Sequence, residues 1–220
     1  DSAYMTKTIT YGSSSSNRIF TFSAWVKKAT NVSDLTLFSS GDNGSTNDTA
    51  IRFDNDALQF YQVHDSAVEI DIKTNALYRD PSAWMHVVVA VDTTQGTDTN
   101  RVKVYVNGTQ VTSLSGTTYP DQNDDLVFNM GIDIGDGEHD IGREHSTPRN
   151  YFDGYMAEVC WIDGTQYAAS DFGEFDEDSP TIWKPKNVSG LTFGNNGAYL
   201  DFEDSSNLGN DANGGTDFTE

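Results

Sequence analysis

The sequence predicts an all-β fold, a sandwich or jelly roll of two antiparallel sheets. Three observations lead to this prediction. Many short segments alternate apolar and polar residues, Gly, Asn and Asp separate these segments, and almost no stretch shows helical periodicity. Short strands joined by polar turns are typical of two packed antiparallel sheets. We therefore expect one main core between two sheets.

The first half of the chain supplies alternating strands and a hairpin. The segment RIFTFSAWVKK places Phe20, Phe22 and Ala24 on one side of an extended chain. The segments TAIRF and ALQFYQV flank a polar turn at residues 54–56, which predicts a β-hairpin. The run WMHVVVAVD is rich in β-branched residues, and such a run indicates a strand that is covered on both faces.

A second hairpin is predicted in RVKVYVNGTQVTSL. Asn107 and Gly108 suit the two positive-φ positions of a type I′ turn. Pairing across this turn places Val104 opposite Val111. The segments DLVFNMGIDIG and HDIGRE continue the strand pattern. We therefore expect strands to follow one another up to residue 164, which bounds a sandwich at residues 1–164.

Residues 165–220 have a different texture and predict a segment that wraps the sandwich. This part carries a charge run and few alternations, with a single helical turn expected near YAASDFG. GAYLDFEDS predicts one more strand, and the Gly- and Asn-rich end is expected to be loose or to lead to a further module. The large apolar side chains that need burial in this wrap are Phe172, Phe175, Ile182 and Trp183.

Composition excludes several classes of partner. The chain has 220 residues and a formal net charge of −21, which argues against nucleic acid and anionic membranes because both are polyanions.

Cys160 is the one cysteine, so no internal disulfide forms, and its apolar strand predicts a buried, inert thiol. No apolar run reaches membrane-spanning length. The opening DSAYMTK lacks an initiator Met, which indicates a processed product or part of a longer chain.

Five segments in order carry a family resemblance: FTFSAWVKK, WMHVVVAVD, VKVYVNGTQV, IGR and FDGYMAEVCWIDG, between residues 20 and 164. Together they resemble the laminin-G-like, concanavalin A-like jelly roll of lectins and glucanases. The segments DFGEFDEDSPTIWKPKN and GAYLDFEDSSNLGND further resemble virion proteins of marine bacteriophages. DSAYMTKTIT is similar to the segment just after the family's first strand, which indicates that this strand is missing here. Either the chain is trimmed, or another segment fills the gap, with residues 197–203 as the candidate.

The resemblance also implies a β-bulge in FDGYMAEVCWIDG. The family motif has apolar residues three apart, as Met156 and Val159 are here. A bulge at residues 157–158 would place Met156, Val159 and Trp161 on one inward face. Glu158 is then expected at the bulge, bonded to a neighbouring backbone group or to a Lys or Arg. This structural role is favoured over a catalytic one.

A glycoside hydrolase needs two carboxylates that face one groove. The closest string to the spacing of related glycosidases contains Glu138, Asp140 and Glu144, but its second Glu stands one residue too late. EIDIK has Lys73 where the second Glu belongs. A Ser nucleophile elbow and a zinc-binding spacing of His and Cys are also absent from the sequence. We therefore expect a protein that is not an enzyme.

Calcium is the predicted cofactor. The segments DQNDD at 121–125 and DIGDGEHD at 133–140 are rich in oxygen ligands, and jelly-roll relatives often hold Ca²⁺ at such a rim. Plain solvated turns are the alternative for each segment. The candidate metal ligands are Asp136, Glu138 and Asp140.

A sugar site needs an exposed aromatic ring beside polar groups. Tyr119 in TTYPDQ is the candidate, with the alternative that it packs under its own loop. The core is expected to hold Trp25, Trp84 and Trp161, and His86 is expected to be a hydrogen-bonded strand residue. The candidate ligand-binding residues are Tyr119, Asp121, Asp124, His139 and His145.

The sequence thus predicts a non-enzymatic binding module of a bacteriophage virion protein, such as a tail fibre, spike or surface appendage. Its expected partner is a host-surface glycan, and a homo-oligomer on the surface of the particle is expected. One alternative is a structural or decoration protein that contacts other virion proteins. The other alternative is a jelly-roll glycoside hydrolase.

Overall fold

The computed structural model describes residues 3–10, 12–42, 46–130, 137–146 and 148–220, and it confirms the predicted all-β sandwich. Two antiparallel sheets of seven and six strands face each other, and a two-stranded hairpin lies near the C-terminus. Two four-residue helices are α1 (Asp98–Arg101) and α2 (Val127–Met130). The strands are β1 (Met5–Thr8), β2 (Ile19–Lys28), β3 (Asp34–Gly41), β4 (Asp48–Asp54), β5 (Ala57–His64), β6 (Ala67–Leu77), β7 (Met85–Asp92), β8 (Val102–Val106), β9 (Thr109–Gln110), β10 (Leu114–Thr118), β11 (Glu138–Ile141), β12 (Gly154–Asp163), β13 (Gly173–Phe175), β14 (Trp183–Pro185) and β15 (Ala198–Leu200).

The two large sheets enclose the main core. The seven-stranded sheet runs β1-β11-β3-β4-β5-β6-β10, and the six-stranded sheet runs β15-β12-β2-β7-β8-β9. Inward side chains of the central strands are fully buried, among them Phe22, Phe38 and Phe60. The ring of Phe38 stacks on Phe22 at 5.2 Å and on Phe128 at 4.7 Å between centroids. Aromatic burial of this kind supplies a large part of the hydrophobic free energy of folding.

Both predicted hairpin turns form. Residues 55–56 connect β4 to β5 with φ angles of 50° and 68°, and residues 107–108 connect β8 to β9 with φ angles of 47° and 77°. Two successive positive φ angles are the mark of a type I′ turn. Across the second turn the Val111 N–H donates to the Val104 carbonyl at 2.8 Å, so these residues face each other as predicted.

The C-terminal segment adds a third layer over the six-stranded sheet, so β7 is covered on both faces as predicted. Cys160 of β12 is buried beneath this layer, and burial raises the pKa of its thiol, which keeps the sulfur protonated and inert. The layer is held by a second apolar cluster, whose buried members are Val88, Ala90, Cys160, Ile162, Ala169, Phe172, Val188 and Phe193.

The prediction that all large apolar residues of the wrap are buried is wrong for two of them. Phe175 is 48% exposed and Ile182 is 56% exposed. Trp183 is half-buried, and its ring lies against the bare backbone of Gly173 and Gly108, where a Cβ atom would be within 2.5 Å of it. The hairpin β13–β14 has only two strands, so it packs one face through Trp183 and leaves the other in water.

The bulge in β12 is confirmed. The ladder with β2 shifts register between Ala157 and Cys160, and Glu158 takes a positive φ of 51°. Val159 and Trp161 lie in the main core, and Met156 packs against it. Glu158 accepts a hydrogen bond from the Tyr199 hydroxyl at 2.5 Å, so its partner is a β15 side chain rather than the backbone group or cation expected.

The end of the chain belongs to this fold. β15 pairs with β12, so residues 198–200 form an edge strand of the six-stranded sheet. Phe218 is buried in the main core, and Thr219 exchanges two backbone hydrogen bonds with Thr6, at 2.7 and 2.8 Å. The expectation of a loose end is therefore wrong, because residues 198–219 close the open edge of the sandwich.

The predicted strand near DLVFNMGIDIG is also partly wrong, since residues 127–130 form the helix α2 and residues 131–136 lie outside the described residues. Phe128 enters the main core from this helix. The Asn129 side chain donates to the Ile19 carbonyl at 2.9 Å, which ties this helix to the start of β2. No helix among the described residues is long and apolar enough to cross a membrane.

Candidate functional site

Alternation along β11 separates the predicted site residues onto two faces of the seven-stranded sheet. His139 points into the core, where it is fully buried and stacks on Trp161 with centroids 4.6 Å apart. Its two ring nitrogens lie 2.6 Å and 3.1 Å from the carbonyl oxygens of Phe128 and Gly137. Burial, the largest influence, lowers the pKa of His139 to about 4. This position does not support the prediction that His139 contacts a ligand, because no side-chain atom reaches solvent.

Asp140 lies on the opposite, outer face of the same sheet and is fully buried beneath the following loop. Its Oδ2 accepts a hydrogen bond from Arg143 Nε at 2.6 Å and lies 3.0 Å from His145 Nδ1. Burial alone would raise the pKa of Asp140, but the contacts with His145 and Arg143 outweigh burial and lower it. Arg143 in turn lies over the Tyr4 ring at 3.6 Å. The carboxylate is therefore ionised within an internal ion network.

The predicted metal ligands Glu138 and Asp140 come together with His145. One possible ligand atom from each lies within 4.8 Å of the others. Asp136, the third predicted ligand, lies outside the described residues. Calcium prefers oxygen ligands only, whereas this group offers an imidazole nitrogen and a carboxylate that already binds Arg143. The described residues therefore fit calcium poorly at this point.

The other acidic residues on this face are also held by internal partners. Glu144 is buried, and its carboxylate accepts hydrogen bonds from Arg149 at 2.8 Å and Asn150 at 2.5 Å. Asp48 accepts a hydrogen bond from the Tyr61 hydroxyl. Burial raises the pKa of Asp48 and of Tyr61, so the ionised form of each is disfavoured. These groups stabilise the loop that covers the sheet, and they do not form an open pair of carboxylates.

The second predicted region, around Tyr119, lies at the other end of the seven-stranded sheet. Tyr119 is half-buried, packs against the main core and lines a cavity of about 80 Å³ beside Val111 and Leu114. Asp121 is exposed, and its backbone N–H donates to the Asp124 carboxylate at 2.6 Å. The Tyr119 ring therefore packs under its own loop, which was the alternative to a role in sugar binding. It does not bring Tyr119 and His145 into contact.

An exposed aromatic row lies on the outer face of the six-stranded sheet, and sequence reasoning missed it. Tyr155 on β12 is 64% exposed and pairs directly with Lys27 on β2. Trp84 is 43% exposed and immediately precedes Met85, which pairs with Val26. Continuing this ladder by one residue sets Trp84 beside Lys27. The row therefore runs from Tyr155 on β12 past Lys27 on β2 to Trp84, which directly precedes β7.

The expectation that Trp84 is a core residue is wrong. Met85 faces the main core, and successive side chains of an extended chain alternate between faces. Trp84 therefore shares the outward side of His86. The sequence contained this signal, because the same alternation that assigned Val87 and Val89 to the core assigns Trp84 to the opposite face. Trp25 and Trp161 are buried as predicted.

An apolar groove of about 550 Å³ opens at the edge of the sandwich, where β1 and β11 approach the start of β12. The carboxylate-bearing residue at this groove is Glu220, the last of the chain. The rest of the groove is lined by aliphatic and aromatic residues, among them Tyr4, Met5, Ile141, Phe152, Met156 and Phe202.

The match to a known family covers most of the sandwich. Residues 2–169 match a laminin G-type family described as the concanavalin A-like lectin/glucanases superfamily. The chain belongs to this superfamily. A search of curated protein sequences finds no match for this superfamily member.

Solved structures share the superfamily fold. A candidate carbohydrate binding protein from Bacteroides ovatus ATCC 8483 aligns with a TM-score of 0.59 and 18% identity, over 98% of this chain and 55% of that chain. This chain therefore spans about half the length of that protein. The CBM40 of Ruminococcus gnavus IT-sialidase, solved with α2,6 sialyllactose, aligns with a TM-score of 0.52 and 13% identity, over 77% and 96% of the two chains. A native heptameric SAP-like pentraxin from Limulus polyphemus gives 0.51 and 16%, over 74% and 71%. At these identities the likeness shows the fold alone.

Proposed function

We propose that this chain is a non-catalytic glycan-binding module. The observation that carries the proposal is the exposure of Trp84 and Tyr155 on the outer face of the six-stranded sheet. Large aromatic rings are mostly buried in folded proteins, and two exposed rings on one sheet face form the kind of surface that marks a binding site. Flat aromatic rings with polar neighbours are suited to the apolar faces of sugar rings. The similar structures that bind carbohydrate support the same assignment.

A glycoside hydrolase is disfavoured by the state of the carboxylates on the polar sheet face. Catalysis needs one carboxylic acid and one free carboxylate on either side of a substrate. Asp140 and Glu144 are both buried, and Arg143 and Arg149 respectively bind their carboxylates. A substrate would have to displace these ion pairs to reach either group.

The setting of the module is part of the proposal. The tail segments that resemble marine bacteriophage virion proteins support a place on the surface of a virion, in a fibre, spike or appendage that contacts host glycan. A homo-oligomer would join weak sites into a stronger grip, because linked sites gain avidity without new contacts. The acidic surface, with a net charge of −21, gives no electrostatic attraction to nucleic acid.

A structural role in the virion is the second candidate, and the apolar groove at the sandwich edge favours it. Tyr4, Phe152 and Phe202 line a concave surface that an apolar side chain of another virion protein would fill. In that case the groove would be buried in the particle. Electron microscopy of the particle distinguishes the two roles. A structural protein would have the groove buried against a neighbour, whereas an attachment module would have the aromatic row exposed at a distal position.

The glycan function is tested by incubating the folded chain with an array of neutral and acidic oligosaccharides and with host cells. We expect binding to a subset of glycans, with weak affinity for each single site. Hydrolysis products should not appear on prolonged incubation with the bound glycans. A folded multimer that binds neither the array nor host cells would count against the function and leave the structural role.

A further inference from the structure

The row Tyr155–Lys27–Trp84 has a spacing that specifies the length of its ligand. Neighbouring strands of a sheet lie about 4.8 Å apart, so the two aromatic residues stand about 10 Å apart across the strand between them. One sugar ring is too short to contact both. A chain that lies across the strands would place one sugar on Tyr155, the next over Lys27 and a third on Trp84.

The wrap covers the neighbouring aromatic residues and leaves Trp84 and Tyr155 exposed. One step along the strands, the rings of Trp25, His86 and Trp183 stack in succession, with centroid distances of 5.1 and 6.0 Å. Trp183 covers that inner row as part of the wrap. Neither Trp84 nor Tyr155 has a ring contact with another aromatic residue in the described part of the chain. Trp84 is 43% and Tyr155 64% exposed, so each side chain keeps surface that is open to a ligand.

The polar groups beside the row suit hydroxyl groups. Lys27 is half-buried between the two aromatic residues and offers an ammonium donor. Asp80 lies in the exposed loop before Trp84, where hydrogen bonds from Ser82 and then the nearby charge of Lys27 lower the pKa of its carboxyl. The Ser82 N–H and hydroxyl both bond to one oxygen, Oδ1, at 2.8 and 2.6 Å. A donor and an ionised acceptor in one neighbourhood suit the hydroxyl groups of a neutral sugar.

We infer that this row binds a neutral oligosaccharide of at least three pyranose units, with the outer two stacked on Tyr155 and Trp84 and the middle one bonded by Lys27 and Asp80. The inference rests on the proposed glycan function and names the ligand class of the same site. A neutral chain is favoured over an acidic one because a protein with a net charge of −21 repels polyanions.

The test is a calorimetric titration of the full chain with cello-, manno- and xylo-oligosaccharides of one to four units. Within the series that binds, we expect affinity to rise steeply between two and three units. Trp84→Ala and Tyr155→Ala should each weaken trisaccharide binding by about tenfold, which corresponds to about 1.4 kcal/mol. Acrylamide quenching of the exposed Trp84 should fall when the trisaccharide binds.

Two control variants separate stacking at the row from general effects. Tyr155→Phe keeps the ring and should bind like the unmodified chain. Phe175→Ala removes another exposed ring outside the row and should also leave binding unchanged. The three side chains changed in these four variants are all exposed, so the thermal melts of the variants should coincide and show that each one folds.

The outcomes distinguish the location from the function. Glycan binding that survives Trp84→Ala and Tyr155→Ala would overturn the inference and leave the glycan function standing. Equal affinity for monosaccharide and trisaccharide, or tighter binding of sialyllactose than of every neutral probe, would also overturn it. No binding to any probe or to the array would contradict the glycan function itself.

Discussion

At the scale of single residues, His86 shows how one buried group docks the C-terminal wrap. The Trp183 indole N–H donates to His86 Nδ1 at 3.0 Å. An indole nitrogen is only a donor, so Nδ1 carries no proton and the neutral ring donates from Nε2 to Ser23 Oγ at 2.8 Å. Burial lowers the pKa of His86 to about 4, which agrees with a neutral ring. Protonation at Nδ1 would break the bond to Trp183.

We expect His86 to make the chain less stable in acid. Its folded pKa of about 4 lies below the unfolded value of 6.5, so the unfolded state takes up the proton first as pH falls. Its contribution to the free energy of unfolding is complete above about pH 6.5 and declines towards pH 4, by roughly 3 kcal/mol. Urea unfolding at pH 7, 5.5 and 4 measures this decline. His86→Gln keeps an acceptor for Trp183, and its free energy of unfolding should fall by roughly 3 kcal/mol less between pH 7 and pH 4. An equal fall in both proteins would contradict the role of His86 in acid sensitivity.

Asp140 should be a stabilising residue through its ion network. Asp140→Asn leaves Arg143 and His145 without their buried anion, and breaking such a pair costs about 3 kcal/mol. Glu138→Gln is the matched control, because Glu138 is partly exposed on the same strand and should cost less than about 1 kcal/mol. Urea unfolding at pH 7 compares the two. Equal losses would show that the three residues act as one unit, as a bound metal would require.

At the scale of elements, β12 shows why a break in alternation is not a defect. The extra residue at Glu158 lets Met156 and Val159 face the same core although they stand three apart. Glu158 then reaches Tyr199 on β15, so the bulge also fixes the edge strand. The bulge thus serves packing on one side of the sheet and pairing on the other.

The C-terminal segment should contribute to stability through one ring. Phe218 fills the core at the open edge, and Phe218→Ala should lower the free energy of unfolding by about 3 kcal/mol or more. Thr219→Ala is the matched control, because Thr219 is exposed and bonds Thr6 through its backbone, which the substitution keeps. Chemical unfolding of both variants measures the difference. An unchanged free energy of unfolding in Phe218→Ala would show that the C-terminal segment is not docked.

At the scale of the whole molecule, the net charge of −21 makes the chain sensitive to cations. Exposed carboxylates repel one another, and at 0.1 M ionic strength salt largely screens this repulsion between charges more than about 10 Å apart. A specific calcium effect must therefore be separated from screening by comparison at equal ionic strength.

We expect the loop of residues 121–125 to bind calcium. Because the ion would bind the folded state only, millimolar Ca²⁺ should raise the melting temperature and a chelator should lower it. Magnesium at the same ionic strength should have less effect. We expect the combined variant Asp121→Asn, Asp124→Asn to abolish the calcium shift and Glu138→Gln to retain it, because the described residues at 138–145 fit calcium poorly. A melting curve indifferent to calcium and chelator would support solvated turns.

The sequence by itself determined the features that depend on near neighbours along the chain. Alternation gave the strands, Asn107-Gly108 gave a hairpin and its register, and the spacing of Met156 and Val159 indicated the bulge. Each of these follows from the two-residue period of a strand or from the φ angles of a turn, which are local properties. Trp84 was open to the same reasoning, since its parity with His86 points it outward.

Only the tertiary structure decided which side chains meet. Asp140 and His145 are close in sequence, but their burial under one loop with Arg143 depends on how that loop packs over the sheet. Tyr155, Lys27 and Trp84 come from three distant segments, and only the order β12-β2-β7 sets them in one row. Strand order is fixed by the free energy of the whole core rather than by any segment, so a site that spans three strands exists only in the folded chain.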